Sequence, residues 1–153
     1  MLTRFYNDKG QELINYEGPT VKSESFYTIT ADGEKVLAYP ENGGFDLTHK
    51  EPNGSYKMRC ILKQGTHLIR YGSEMGSYTA PLGSQYCELG LPWEQQTVEY
   101  HEYIVIADEI HVKCIVLRGK VAPAFDSPGG AIQYIHPNSI LLEIKKSKLR
   151  RIK

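Results

Sequence analysis

Short apolar and β-branched runs, separated by turn residues, recur along the chain. The stretches SFYTIT, EKVLAYP and YKMRCIL are typical of strands, and NDKGQ and ADGEK are turn signals of the kind that close hairpins. The stretch EYHEYIVIADEIHVKCIVLRGKV, residues 99–121, contains two β-branched runs. These runs predict central strands, whereas the first sixty residues predict edge strands and loops.

Helices are predicted at two places only. A short one is expected near GLPWEQQTVEY, where Pro92 could occupy the first turn. The other is expected near HPNSILLEIKKSKLRR, beginning at Pro137 and Asn138, although SILLEI fits a strand equally well. The pattern therefore predicts an α+β fold that is rich in β-structure, with few short helices.

Composition narrows the class of protein without identifying it. The chain has 153 residues, 41% hydrophobic and 24% charged, which suits one domain with its own core. Lys plus Arg and Asp plus Glu both total 18, so no net field favours nucleic acid or an anionic membrane. No apolar run approaches a membrane span and the start does not resemble a signal peptide, so we expect no membrane contact in this segment. A leader or delivery domain upstream is left open.

The cysteines give no metal or disulfide signature. Cys60, Cys87 and Cys114 are odd in number, without C-x-x-C spacing or paired histidines at the distances of a zinc motif. No D-x-D-x-D-G calcium loop occurs either. The sequence therefore predicts no metal site.

One loop combines turn residues with side chains that can bind a ligand. In APAFDSPGGAIQY, two prolines and Gly129–Gly130 force turns, and the glycines allow backbone to approach a ligand closely. Gln133 then offers an amide, and Tyr134 an aromatic ring with a hydroxyl. Alone, this pattern is more typical of a tight connection between core strands than of a ligand site.

A second cluster favours the functional interpretation. GTHLIRYGSEMGSYTAPLG places Arg70 before Tyr71 and Tyr78 eight residues later. With YPENGGF, LPW, EYHEY and the Pro-Gly loop in this order, residues 38 to 150 resemble the tuberculosis necrotizing toxin family of NAD glycohydrolase domains. The resemblance implies a compact, mostly antiparallel, twisted β-sheet. It also implies cleavage of NAD+ to nicotinamide and ADP-ribose, with NAD+ as substrate, NADP+ left open as an alternative substrate, and no cofactor.

The resemblance also implies the site residues. Arg70 in IRYG corresponds to the family's important arginine, although Ile69 replaces the preceding aspartate, and Gln133 in GGAIQY keeps its place although Ala131 replaces a third glycine. His101 in YHEYIV matches the family's histidine. Glu74 and Asp126 lie near these motifs and could supply negative charge. The expected catalytic residues are Arg70, His101 and Gln133, and the expected substrate-binding residues are Arg70, Tyr71, Tyr78, Gly129, Gly130, Gln133 and Tyr134.

Domain organisation and context follow from the same resemblance. Residues 38–153 are expected to form the catalytic unit, and residues 1–37 an extension of strands and loops packed on it. The family implies a C-terminal toxin domain of a secreted bacterial effector, which acts in the cytosol of a target cell and is blocked by an immunity protein. Two alternatives stay open: an ADP-ribosyltransferase, despite the lack of a Glu-x-Glu motif with a Ser-Thr-Ser run, and a non-catalytic interaction module.

Overall fold

The computed structural model describes residues 3–153. Its regular elements are nine short strands and one α-helix, joined by turns and four single-turn 3-10 helices. In chain order they are β1 (Tyr27–Ile29), β2 (Lys35–Leu37), β3 (Lys57–Leu62), β4 (His67–Tyr71), β5 (Tyr78–Pro81), β6 (Tyr100–Val105), β7 (Cys114–Lys120), β8 (Ile132–Ile135), α1 (Ile140–Lys145) and β9 (Leu149–Arg151).

Seven strands form one antiparallel sheet in the order β3-β7-β8-β5-β4-β6-β9. The two β-branched runs predicted to be central strands become β6 and β7, and each has a neighbour on both sides. β1 and β2 pair separately as a small hairpin. The fold prediction is confirmed: the protein is β-rich and mostly antiparallel, with a few short helices.

Side chains alternate between the two faces of the sheet, so each face has its own core. The larger core is built from strand residues such as Leu68, Tyr103 and Val116, which meet Ile140 of α1. The smaller core contains Ile69, Tyr71, Ala80, Tyr86 and Val98 and lies on the other side. Because Ile69 and Ala80 are direct cross-strand partners, they bring β4 and β5 together on that second face.

The C-terminal helix begins slightly later than predicted. Ser139, rather than Pro137 or Asn138, caps α1, because its Oγ accepts a hydrogen bond from the amide of Leu142 at 3.2 Å. SILLEI is therefore helical, and the chain returns to the sheet as β9. No helix among residues 3–153 is long and apolar enough to cross a membrane.

The helix predicted around Pro92 is wrong. The structure has only a 3-10 turn there, at Gln95–Thr97. Backbone groups that a helix would use internally are paired with the N-terminal segment: the carbonyl of Pro92 accepts from the amide of Lys22 at 2.9 Å, and the amide of Glu94 donates to Thr20 at 2.8 Å. Long-range pairing has thus replaced local helical hydrogen bonds.

Candidate functional site

A cavity of about 360 Å³ opens on the sheet face that carries the smaller core. This volume lies in the usual range of small-molecule sites, roughly 300–1,000 Å³. Its walls are mostly apolar and aromatic, and its polar side chains are few. The apolar lining includes Tyr39, Ile69, Ala80, Leu89, Leu91 and Trp93.

Arg70 supplies the positive charge of this cavity, because it is the only ionisable side chain among residues 3–153, apart from tyrosines, that lines it. Pairing between β4 and β5 ends at Ile69 and Ala80, so Arg70 faces the gap where the strands diverge. Its Nε donates to the carbonyl of Ser73 at 2.8 Å, and its Nη1 donates to the carbonyl of Tyr78 at 3.0 Å. The guanidinium is therefore fixed by backbone oxygens.

No carboxylate within residues 3–153 forms an ion pair with Arg70. Burial lowers the pKa of Arg70 from its ordinary value, and the negative charges of Glu99 and Glu74 partly oppose that shift. An arginine stays charged in proteins. A half-buried cation held only by carbonyl dipoles is partly desolvated, so an anionic ligand placed against it would be favoured.

Gly76 makes room for this guanidinium. A Cβ built on Gly76 would lie 1.9 Å from Nη2 of Arg70, a distance that real contacts do not show. The loop from Ser73 to Gly76 therefore passes directly over the arginine, and a side chain at residue 76 would force the guanidinium to move. The lack of a side chain at Gly76 lets the end of β4 and this loop enclose the Arg70 guanidinium between them.

The carbonyl of Gly43 joins two of the predicted site residues. It accepts a hydrogen bond from the hydroxyl of Tyr78 and another from Nε2 of Gln133, both at 3.1 Å. Gly43 has a φ of +71°, which favours glycine, and a Cβ there would lie 3.2 Å from Ile135. Burial raises the pKa of Tyr78 above its ordinary value. The Gln133 side chain still has its oxygen available for a ligand.

The predicted glycine pair supports the cavity without lining it. Gly129 has a φ of +67°, and a Cβ there would lie 2.6 Å from the carbonyl oxygens of Val121 and Ala122. The amide of Gly130 donates to Val121 at 3.0 Å. Val121 and Ala122 themselves line the cavity. The glycines therefore allow the loop to pack against the back of that wall.

Tyr71 and Tyr134 occupy different positions relative to the cavity. Tyr71 lies at its edge, packed against the rings of Tyr86 and Tyr100, and its hydroxyl donates to Asp8 at 2.8 Å. Burial raises the pKa of Tyr71 above its ordinary value. Tyr134 packs against the larger core, on the opposite face of the sheet from Gln133. Of these two side chains, only Tyr71 borders the cavity.

His101 is close to Arg70 in the sheet but does not line the cavity. The two residues are direct partners in the β4–β6 ladder. The histidine Nε2 lies 2.7 Å from Oε2 of Glu99, and its Nδ1 lies 3.2 Å from the carbonyl of Lys153. Both ring nitrogens thus have protein partners. His101 can position the Glu99 carboxylate directly.

Glu99 in turn borders a second, more open cavity that shares Arg70 and Trp93 with the first. The N-terminal segment 16–19 forms one of its walls, and Gly72 and Ser73 form part of another. Arg70 and Trp93 therefore stand between two neighbouring spaces. Among residues 3–153, the buried carboxylate of Glu99 lines the second cavity, and no buried carboxylate lines the first.

The sequence interpretation left out Trp93, the carbonyl of Gly43 and Glu99. Trp93 packs beside the smaller core and lines both cavities. The motif LPW pointed to it, as EYHEY did to Glu99. A backbone carbonyl such as that of Gly43 has no signal in a sequence.

The two carboxylates chosen by sequence proximity do not reach the cavity lining. Glu74 accepts two hydrogen bonds from Arg151 and one from the hydroxyl of Tyr103 at 2.7 Å. Asp126 is exposed in the tight turn of the Pro-Gly loop, with a φ of +62°. Glu74 therefore holds β9 and β6 together.

Comparison with known proteins matches this chain to one protein family. A profile of the family described as Tuberculosis necrotizing toxin matches residues 61–152. A curated relative, the conidial surface nicotinamide adenine dinucleotide glycohydrolase nadA of Aspergillus fumigatus, is 32% identical over 122 residues. That match covers 74% of this chain and 49% of the relative, so the chain spans about half the length of the relative.

Among solved structures, tuberculosis necrotizing toxin complexed with its immunity factor has the same fold. The TM-score is 0.63, and the match covers 95% of this chain and 75% of that chain. Sequence identity is 19%, so this likeness supports the fold alone. This chain and that toxin therefore share an overall fold.

Proposed function

This chain belongs to the tuberculosis necrotizing toxin family, and we propose that it hydrolyses NAD+ to nicotinamide and ADP-ribose in the cavity beside Arg70. The name of the curated relative, a nicotinamide adenine dinucleotide glycohydrolase, supports this choice of substrate. The observation that carries the proposal is the Arg70 guanidinium, which is fixed at the cavity by two carbonyls and has no carboxylate partner in residues 3–153. The diphosphate of a dinucleotide is an anion whose oxygens suit bidentate binding by such a planar cation.

The reaction makes modest demands on the protein. Nicotinamide in NAD+ is already a pyridinium, so the N-glycosidic bond can break with its electron pair moving to the ring nitrogen, and neutral nicotinamide leaves unprotonated. Water bonds to C1′ of the ribose and gives up one proton. The protein must hold the substrate, favour an oxocarbenium-like transition state and admit water. A cavity without a general acid can meet these demands.

Each predicted site residue has a proposed part. Arg70 binds the diphosphate, and the Tyr78 ring packs on a base or the nicotinamide. The free oxygen of Gln133 accepts a hydrogen bond from a ribose hydroxyl or the carboxamide, since its nitrogen is occupied by Gly43. His101 is a positioning residue, because it contacts Glu99 rather than the cavity.

The remaining predicted residues shape the site. Tyr71 forms the cavity edge, and Gly129 and Gly130 support the wall at residues 121–122. Tyr134 holds β8 in register against β5 and β7, so that Gln133 faces the cavity.

We also propose the biological setting implied by the family. The domain is part of a secreted effector, acts on NAD+ in the cytosol of a target cell and is inhibited by a cognate immunity protein over the cavity mouth. The fold shared with a toxin solved in complex with its immunity factor supports this setting. Tyr39 and Tyr78, which are 52% and 38% exposed, place aromatic surface at that mouth for such a partner.

The test is NAD+ consumption by the purified domain, with nicotinamide and ADP-ribose quantified together. Arg70→Ala and Gln133→Ala should each lower kcat/KM; for Gln133, losing one hydrogen bond corresponds to about 10-fold or more. Arg59→Ala, an exposed arginine on β3, is the matched control and should match the parent. Intact NAD+ with the folded parent would refute the proposal, and ADP-ribose attached to protein would indicate a transferase instead.

A further inference from the structure

Three side chains that bind metals well meet inside the protein, away from the candidate cavity. Cys114 begins β7, His136 follows β8 and Glu143 lies on α1. Their Sγ, ring nitrogen and carboxylate oxygen all lie within 4.8 Å of one another, and all three residues are buried. We propose that Cys114, His136 and Glu143 form an internal Zn²⁺ site.

The spacing of the two harder donors suits zinc. Nδ1 of His136 lies 3.1 Å from Oε1 of Glu143. Two tetrahedral zinc ligands with bonds of about 2.0–2.1 Å are separated by about 3.3 Å. The zinc ion would replace the hydrogen bond between these atoms almost without moving them. A thiolate at about 2.3 Å from zinc lies roughly 3.5 Å from the other donors, and the three atoms lie within 4.8 Å of one another, so Cys114 needs to shift by about 1.3 Å at most.

The partners around these three residues are those that zinc ligands commonly have. The other ring nitrogen of His136, Nε2, lies 2.7 Å from Oγ1 of Thr79. The second oxygen of Glu143 accepts from Asn138 at 3.1 Å. Such outer contacts fix the tautomer of a ligating histidine and orient a ligating carboxylate. Thr79 and Asn138 would keep both contacts with zinc present.

Cys114 has no other polar role in the described part of the chain. It is fully buried, and its thiol has no hydrogen-bond partner among residues 3–153. Burial, the largest cause, raises the pKa of Cys114 to about 12, so without a cation the residue is a neutral thiol. A zinc ion would bind the sulfur as a thiolate, and the thiol proton would be released to solvent.

One charge opposes the cation. The ammonium of Lys148 lies 3.3 Å from Oε2 of Glu143. Zinc with one thiolate and one carboxylate is neutral, so Lys148 leaves a net positive charge in the site. This charge sets the affinity below that of a site with more anionic ligands, and the metal is best measured at equilibrium rather than after extensive dialysis.

Zinc and cobalt binding to the untagged chain test the proposal without NAD+. Co²⁺ should bind with a stoichiometry of one and give the near-ultraviolet charge-transfer absorption of a cobalt–thiolate bond. Zn²⁺ should displace it and raise Tm. Absence of the thiolate band together with an unchanged Tm in the parent would overturn the site and leave the three residues as a hydrogen-bonded network.

Variants identify the ligands. Cys114→Ala should remove the cobalt band and the zinc-dependent rise in Tm, whereas Cys87→Ala, at an exposed cysteine, should keep both. Thr79→Val should weaken zinc binding by about 10–100-fold through the histidine. A cobalt–thiolate band that persists in folded Cys114→Ala would refute the assignment of Cys114 as the ligand. If that variant does not fold, the cobalt–thiolate band and the zinc-dependent change in Tm of the parent still test whether the site exists.

Discussion

Gly76→Ala tests whether the Arg70 guanidinium is held where the structure places it. The new methyl would lie 1.9 Å from Nη2, whereas an ordinary contact needs at least 3.4 Å, so one group must move by about 1.5 Å. The φ of Gly76 is not in the positive range, so alanine suits its backbone. The clash therefore acts on the arginine rather than on the turn.

The expected cost has two parts. Displacing the guanidinium lengthens or breaks its bonds to the carbonyls of Ser73 and Tyr78, which should lower the free energy of unfolding by about 1–3 kcal/mol. A misplacement larger than 1 Å of a substrate-positioning group should lower kcat/KM by about 100-fold. Urea unfolding and NAD+ turnover measure the two effects separately.

A double-mutant cycle isolates the clash. In an Arg70→Ala background the methyl has no guanidinium to displace, so Gly76→Ala should then cost little stability. Met75→Ala, in the same loop at a residue 70% exposed, is the control and should leave both readouts near those of the parent. The reasoning is refuted if Gly76→Ala destabilises the protein equally with and without Arg70. Stability alone decides this, so the cycle is informative even without turnover.

Two further outcomes follow from individual contacts. Tyr78→Phe removes the hydroxyl that binds Gly43 but keeps the ring, so it should lower the free energy of unfolding by about 1 kcal/mol and Tm with it; an unchanged Tm would show that this bond contributes nothing. Burial raises the pKa of Glu74, but hydrogen bonds from Arg151 and a tyrosine lower this pKa overall. The Glu74–Arg151 pair therefore stabilises the fold at pH values above the ordinary pKa of a carboxyl group. This stabilisation is lost as the pH falls through the lowered pKa. Arg151→Ala should therefore destabilise more at pH 7 than at pH 3 in urea titrations, and an equal loss at both would contradict the assignment.

The strands were predictable because the local sequence pattern favours the same extended structure that their positions in the sheet require. The β-branched runs of β6 and β7 are flanked by turns, and each strand is paired on both sides. The Pro92 helix failed because the determining contacts come from residues about seventy positions away, where Thr20 and Lys22 pair with this segment. No pattern within the segment itself contains that information.

Side-chain chemistry and the order of the motifs were enough to identify part of the candidate site from the sequence. Arg70, Tyr78 and Gln133 come together at one cavity, as their shared motifs suggest. The carbonyl that joins Tyr78 to Gln133 belongs to Gly43, and a main-chain acceptor depends on backbone path alone. Trp93 could equally be a core residue, since the same aromatic ring can fill a core or line a ligand site.

The N-terminal segment links the family's shared region to this chain's own site. The profile match begins at residue 61, yet Asp8 binds the hydroxyl of Tyr71 at the cavity edge, and residues 16–19 wall the second cavity. A dinucleotide has two nucleoside halves joined by a diphosphate. Arg70, between two neighbouring cavities, stands where a diphosphate would lie if each half occupied one of them. Binding of NAD+ across both cavities would bring the N-terminal segment into contact with the substrate, although this segment lies outside the matched region.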